Sequence, residues 1–319
     1  MDKFLSCDWG TSSFRLRLIS AKNLEIIEET TLKQGIADTF KMWNQGPKNG
    51  LERLDFYLDI IAKEIRTLEK RIGYSLENFP LIISGMASST IGMVDLPYKN
   101  LPFSTSGKDL EKLVIEASTY PKQNVLIISG VRTENDVIRG EETKLVGCAA
   151  DIDNGAHVFI FPGTHPKHVF VKNKHAFDFK TYMTGEFFDL LSTESILSVS
   201  VKKNESFEKD GCLQSFERGV HESRNSNLLH SCFLVRTNQL FRKYSEEENY
   251  FYLSGLLIGA ELNSLPVTGQ NITIVANHSL GKQYGAALNV LNTARKATIS
   301  TLDADDSLIK GQWEIYKSL

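Results

Sequence analysis

No stretch of this sequence is apolar and long enough to cross a bilayer; the longest weakly polar run, Leu81 to Val94, is broken by Gly and Ser. No apolar leader precedes the first strand-like residues, because Met1-Asp2-Lys3 runs straight into them, and a soluble protein of the cytoplasm is expected. An excess of one charge is absent too: 36 basic residues stand against 39 acidic ones, for a net charge of -3. That balance argues against nucleic acid and membrane as partners. Cysteine is scarce, and Cys7, Cys148, Cys212 and Cys232 form no CxxC pair, which fits reduced, packed thiols rather than a disulfide frame or a zinc site. The lack of GxxxxGK[ST] excludes a P-loop fold, and no GxGxxG follows a strand to support a dinucleotide-binding fold. What remains is a 319-residue, 41% hydrophobic chain, enough to build one large domain or two ordinary ones around small-molecule partners.

The stretch CDWGTSSFRLRLI, Cys7 to Ile19, alternates Phe14, Leu16 and Leu18 with Arg15 and Arg17, the period of a half-buried strand, so Cys7 to Ser13 is read as a hairpin turn. Apolar residues at Leu51, Leu54, Leu58, Ile61, Ile65 and Leu68 predict an amphipathic helix over Leu51 to Lys70. FPLIISGM (Phe79 to Met86) and NVLIISGV (Asn124 to Val131) read as buried strands of a parallel sheet whose C-terminal ends open into loops. A helix is expected over Gly140 to Ala150, and a second Gly-Thr turn, Gly163-Thr164, lies between the strand-like runs of HVFIFPGTHPKHVFV. The two Gly-Thr turns are 163 − 10 = 153 residues apart, near half the chain. The spacing implies two related α/β domains, 1–154 and 155–319, facing each other across a cleft. FYLSGLLIGAELNSL (Phe251 to Leu265) predicts a helix with Gly255 and Gly259 on one face, NITIVANHSLGKQYGAALNVL predicts strand, short loop and helix, and Ser200 to Glu248 reads as helical excursions and loops.

Hairpin turns of Gly, Thr and Ser bring backbone N–H groups and hydroxyls to close range. Gly10, Thr11, Ser12 and Ser13 in the first, and Gly163 and Thr164 in the second, could cradle phosphate oxygens. Asp8, at the strand end, can hold Mg²⁺ through water. One such turn is equally well an ordinary Asx-type turn; two matched turns point to a kinase built on a pair of phosphate hairpins. His165 and His168 in THPKH resemble an HxxH metal pair, but strand alternation sends them to different faces and no carboxylate completes a site, leaving Lys167 to face phosphate or a substrate carboxylate.

Paired phosphate hairpins are the pattern of the actin, hexokinase and sugar-kinase superfamily, whose two ribonuclease-H-like domains close on a nucleotide. ISGMASSTIGMVDLPYKNLP (Ile83 to Pro102), VIRGEETKLVG (Val137 to Gly147), FPGTHPKHV (Phe161 to Val169), FKTYMTGEFFDLL (Phe179 to Leu191) and FYLSGLLIGAE (Phe251 to Glu261) occur, with DWGTSSFR, in the order seen in 2-dehydro-3-deoxygalactonokinases. The chain resembles that family from residue 8 to about 290. The resemblance implies an ATP- and Mg²⁺-dependent carbohydrate kinase acting on the terminal (6-) hydroxyl of 2-dehydro-3-deoxy-D-galactonate in galactonate breakdown. Where many relatives have Gly after the strand ITIVA, this chain has Asn277, in the loop expected near adenosine.

Phosphoryl transfer needs a base for the attacking hydroxyl. The superfamily resemblance puts that acid at the helix start RGEET, which implies Glu141 ahead of Glu142; paired acids in a first helical turn also arise simply from the helix dipole. Arg139 holds a substrate carboxylate or fixes Glu141. Gly85, Met86, Ser88 and Ser89 of the loop after the buried strand, with Glu142 and His165, are assigned to the acceptor side, although a hydroxyl there serves an N-cap equally well. Thr184 of MTGE is read as a helix cap bordering the cleft. Gly255 and Gly259 permit close approach of a nucleotide ring or of another helix. Two other readings share this fold, a related sugar or keto-acid kinase and a non-catalytic ATP-binding regulator, and a homodimer is left open.

Overall fold

The computed structural model describes residues 2–46, 52–117, 122–150, 152–204, 206–209, 211–225, 227–265, 271–292 and 298–319. Strands of four or more residues are numbered. The chain divides into two compact units: Met1–Asn154 with Lys172–Asp178 and Ala304–Leu319, and Gly155–Val171 with Phe179–Asp303. The units are interleaved in sequence, since Lys172–Asp178 and Ala304–Leu319 belong with the first.

The first unit opens with β1 (Lys3–Trp9), β2 (Phe14–Ser20) and β3 (Ile26–Leu32), followed by α1 (Ile36–Gln45), α2 (Arg53–Ile72) and β4 (Leu81–Gly85). Next come β5 (Lys112–Ile115), β6 (Val125–Ile128) and α3 (Glu141–Cys148). The sheet order is β3-β2-β1-β4-β6-β5, with β1, β4 and β6 parallel and β2, β3 and β5 antiparallel to their neighbours. The apolar runs predicted as parallel strands are β4 and β6. All five residues of β4 and all four of β6 are buried, as strands covered on both faces require.

The predicted amphipathic helix is α2, with Leu51 lying outside the described residues. It buries Tyr57, Leu58, Ile61, Ile65 and Leu68 against the sheet and ends at Gly73, whose φ of 80° is the left-handed cap that glycine accepts without strain. At about 1.5–3 kcal/mol for each large apolar side chain, this stripe rather than helix propensity fixes the element.

The second unit repeats the plan. β7 (Ala156–Phe161), β8 (Lys167–Lys172) and β9 (His175–Thr181) lead into α4 (Thr184–Thr193). Then follow α5 (Cys212–Asn225), α6 (Leu228–Leu240), α7 (Glu246–Leu262), β10 (Asn271–Val275), α8 (His278–Asn292) and β11 (Ile299–Leu302). The order β11-β10-β7-β8-β9 reproduces β6-β4-β1-β2-β3, and β7, β10 and β11 are parallel. Residues 172–178 count with the first unit, where His175 and Ala176 of β9 pair with Ser104 and Phe103.

Two helix pairs cross at glycines. A Cβ on Gly255 would lie 2.0 Å from the Phe216 carbonyl oxygen, and one on Gly259 would lie 2.5 Å from Ser223 Oγ, so both face α5. The close approach they permit is helix to helix, and the expected nucleotide role of Gly255 and Gly259 is corrected accordingly. In the first unit α3 crosses α9 (Ala304–Lys317) at Gly147 and Gly311, where a Cβ would meet the Ser307 and Thr143 carbonyl oxygens at 1.9 and 1.8 Å. α9 also delivers Asp305 to Arg15 (2.9 Å) and Arg17 (2.8 Å), and Gln312 to the Cys7 carbonyl (3.0 Å) and Ser84 Oγ (2.9 Å). The helix that was not foreseen therefore braces β1, the strand that carries Asp8.

Candidate active site

Both Gly-Thr turns are hairpins. In the first, the Gly10 N–H donates to the Ser13 carbonyl at 2.9 Å, and Thr11 and Ser12 stand exposed at the tip. The start of α1 lies against it: Ile36 and Ala37 N–H groups donate to the Gly10 and Thr11 carbonyls at 3.0 and 3.1 Å, and a Cβ on Gly35 would sit 2.1 Å from the Thr11 oxygen. The second hairpin has the same support. The Glu186 N–H donates to the Thr164 carbonyl at 3.0 Å, and a Cβ on Gly185 would sit 2.4 Å from the Gly163 oxygen.

The hairpin glycines themselves behave differently. A Cβ on Gly163 would meet nothing within 4 Å, and one on Gly10 would meet only Ser13, at 3.6 Å and beyond. Neither takes a positive φ. The fold therefore does not need glycine at either tip, whereas a ligand approaching the backbone does.

At the end of β1 the half-buried Asp8 lies beside the end of β4 and the start of α3. A Cβ on Gly85 would be 3.4 Å from Asp8 Oδ1, and one on Gly140 would be 3.5 Å from the Gly85 Cα. Both glycines have positive φ, 88° and 107°, so the turns that bring these three elements together require them.

The two acids of RGEET have different surroundings. Glu142 is completely buried; its Oε2 accepts the Gly140 N–H at 2.7 Å and its Oε1 accepts the Thr143 hydroxyl at 2.9 Å. Burial, and then the neighbouring Glu141 charge, push its carboxyl up to about 7. Its expected place on the acceptor side is corrected: a carboxylate turned back into the helix start is closed to substrate. Glu141 is half-buried and accepts the Arg139 N–H at 3.2 Å.

Ser88 and Ser89 are corrected in the same way. Both are buried; the Ser88 hydroxyl donates to the Ile128 carbonyl at 2.8 Å, and the Ser89 hydroxyl to the Met86 carbonyl at 2.7 Å. Ser88 serves Arg139, whose Nη1 donates to its carbonyl and its Oγ, both at 2.5 Å. The Arg139 guanidinium also lies 4.2 Å from the Tyr98 ring centroid, and its Nε is buried with no hydrogen-bond partner among the described residues. Tyr98 was missed as a site residue because nothing in the order of residues links it to Arg139.

In the second unit His165 Nε2 lies 2.6 Å from Glu186 Oε2, and Lys167 Nζ donates to the His165 carbonyl at 2.7 Å. His168 points to the other face, as alternation predicts, and is buried against Glu261 at 2.8 Å. Thr184 is not a helix cap: Met183 holds that position without a side-chain cap, and the Thr184 hydroxyl donates to Glu261. A cavity of about 190 Å³ beside Gly163 is lined by Tyr250, Leu257, Leu280 and Gln283, among others. Exposed Asn277 precedes α8, its carbonyl accepting the Gly281 N–H at 3.0 Å. All four cysteines are free thiols, and among the described residues no group of three or more His, Cys, Asp or Glu could hold a metal and no helix is long and apolar enough to cross a membrane.

Two mixed sheets of one strand order, each headed by a Gly-Thr hairpin, make up an α/β fold of the actin and hexokinase type. The family model "2-keto-3-deoxy-galactonokinase" matches residues 8–315. The chain belongs to that family and is a carbohydrate kinase, a phosphotransferase with an alcohol group as acceptor. A protein of Escherichia coli (strain K12) named 2-dehydro-3-deoxygalactonokinase is 33% identical over 298 residues, covering 91% of this chain and 90% of its own. One of Rhizobium meliloti (strain 1021), named "Probable 2-dehydro-3-deoxygalactonokinase DgoK1", is 29% identical over 320 residues, covering 97% and 94%. The crystal structure of a Sinorhizobium meliloti protein of the same family superposes with a TM-score of 0.78 at 26% identity, covering 99% of this chain and 96% of the other. Family and relatives together support 2-dehydro-3-deoxygalactonokinase activity.

Proposed function

We propose that the chain transfers the γ-phosphoryl group of ATP to the terminal (6-) hydroxyl of 2-dehydro-3-deoxy-D-galactonate, a step of galactonate breakdown. The observation that carries this reading is the pair of hairpins whose glycines have no packing reason in the fold, since a Cβ would meet nothing within 4 Å at Gly163 and only Ser13, at 3.6 Å and beyond, at Gly10. Backbone N–H groups and the Thr11, Ser12, Ser13 and Thr164 hydroxyls supply donors to phosphate oxygens. Asp8 fits Mg²⁺: as a half-buried carboxylate near the first hairpin it would hold that ion together with the substrate phosphates. Mg²⁺ neutralises phosphate charge when bound.

Glu141 takes the proton of the attacking hydroxyl as the new O–P bond forms and the bond to the ADP oxygen breaks. The Arg139 guanidinium, oriented by Ser88 and Tyr98, turns its remaining N–H groups to the substrate carboxylate. The cavity beside Gly163 takes the nucleoside, with Asn277 close to the base. The test is a panel of sugar acids with ATP and Mg²⁺, followed by ³¹P and ¹³C NMR of the product. ADP release that depends on 2-dehydro-3-deoxy-D-galactonate, with phosphorus coupling at C6, is expected; turnover with other acids alone, or phosphate on another carbon, contradicts the assignment.

A further inference from the structure

Glu261 is a single carboxylate in the otherwise apolar middle and end of α7, with a side chain only 1% exposed. A buried carboxylate is tolerated only when its oxygens are hydrogen-bonded. Three donors from three elements do this: His168 Nε2 of β8 at 2.8 Å, the Tyr284 hydroxyl of α8 at 2.8 Å, and the Thr184 hydroxyl of α4.

Two of these donors lead directly to the second hairpin. Thr184 opens α4, and the next two residues are the hairpin's floor. Gly185 lies so close to Gly163 and Thr164 that a Cβ would be 2.4 Å from the first and 2.8 Å from the second. The Glu186 N–H holds the Thr164 carbonyl at 3.0 Å, while its carboxylate holds His165 at 2.6 Å. His168 lies on the strand that leaves the hairpin. One carboxylate thus grips both the helix under the hairpin and the strand behind it, within a single unit.

We propose that Glu261 is the positioning residue of the second hairpin, setting through Thr184 and His168 the placement of Gly163–His165 toward nucleotide phosphates. The inference rests on the nucleotide reading above and deepens it. Glu261 touches no reacting atom. Its effect falls on nucleotide affinity, because α4 turns one hydroxyl bond in the core into the placement of three hairpin residues.

The test uses ATP·Mg²⁺ binding by calorimetry and steady-state kinetics on the full chain. Thr184→Val removes one donor and keeps the shape; it should weaken ATP about tenfold, the scale of one hydrogen bond to a charged group, and leave the acceptor KM within about twofold. Thr184→Ser should restore ATP binding, which a loss of packing would not allow, and Glu261→Gln should lower ATP affinity in the same direction if it folds. Equal ATP binding by Thr184→Val and wild type overturns the positioning role alone. A parallel rise in both constants, or no rescue by Ser, reduces the cluster to core support. Wild-type protein that binds no ATP sinks the nucleotide reading and this inference with it.

Discussion

Glu142→Gln should flatten the pH dependence of stability, and the sign follows from where the proton sits. The buried Glu142 carboxyl is raised from an ordinary 4.5 to about 7, chiefly by burial and then by Glu141. Between those pH values the folded chain keeps a proton that the unfolded chain has released, so stability is full below about pH 4.5 and is lost as pH rises to about 7. The gap corresponds to about 3 kcal/mol at its limit. Glutamine can still accept the Gly140 N–H and meet the Thr143 hydroxyl, and it carries no charge at any pH. Urea unfolding followed by fluorescence from pH 5 to pH 8 should show wild type losing up to about 3 kcal/mol relative to the variant. Glu141→Gln should remove part of the same slope, since its charge is the second cause. Parallel profiles for wild type and Glu142→Gln would refute the reasoning.

Gly163→Ala adds a Cβ into open space and should leave the melting temperature unchanged or slightly higher, because the unfolded chain loses freedom; ATP titration should show weakened binding. Gly255→Ala drives a Cβ into the Phe216 carbonyl of α5, and thermal melts should show a loss of about 1–3 kcal/mol or more. Asp8→Ala should remove turnover while circular dichroism and melting stay near wild type, because the role proposed for Asp8 is in charge neutralisation rather than packing; near-normal ADP release by a folded variant would contradict that role.

Much of the fold was legible because alternation and short buried apolar runs report burial directly: β2, β4 and β6 followed from Phe14, Leu16, Leu18 and the two Ile-Ile-Ser-Gly strand ends, whereas Cys7 to Trp9, read as part of the turn, are the end of β1. β3 was not, since Ile26 to Leu32 is an edge strand, largely exposed, with a polar reading on both faces. α9 was missed for another reason. Its work, Asp305 on Arg17 and Gln312 on Ser84, depends on partners 288 and 228 residues away in sequence. The hairpin glycines and the packing glycines look alike as letters, and only the space beside each Cα tells Gly163 from Gly255. Glu261 left a usable signal, a lone acid inside SGLLIGAELN, which marks a buried charge that must find donors. Glu141 and Glu142 could not be separated by pattern, because one residue of register decides which carboxylate turns inward.

The central claim, a sugar-acid kinase with Glu141 as its base, is tested most directly by the rate of 2-dehydro-3-deoxy-D-galactonate-dependent ADP release in wild type and in Glu141→Gln. The amide keeps size and hydrogen bonding but accepts no proton, so kcat should fall about 10²- to 10⁴-fold with ATP affinity unchanged. Normal turnover by a folded Glu141→Gln, or wild-type ADP release that ignores the sugar acid, would contradict the account.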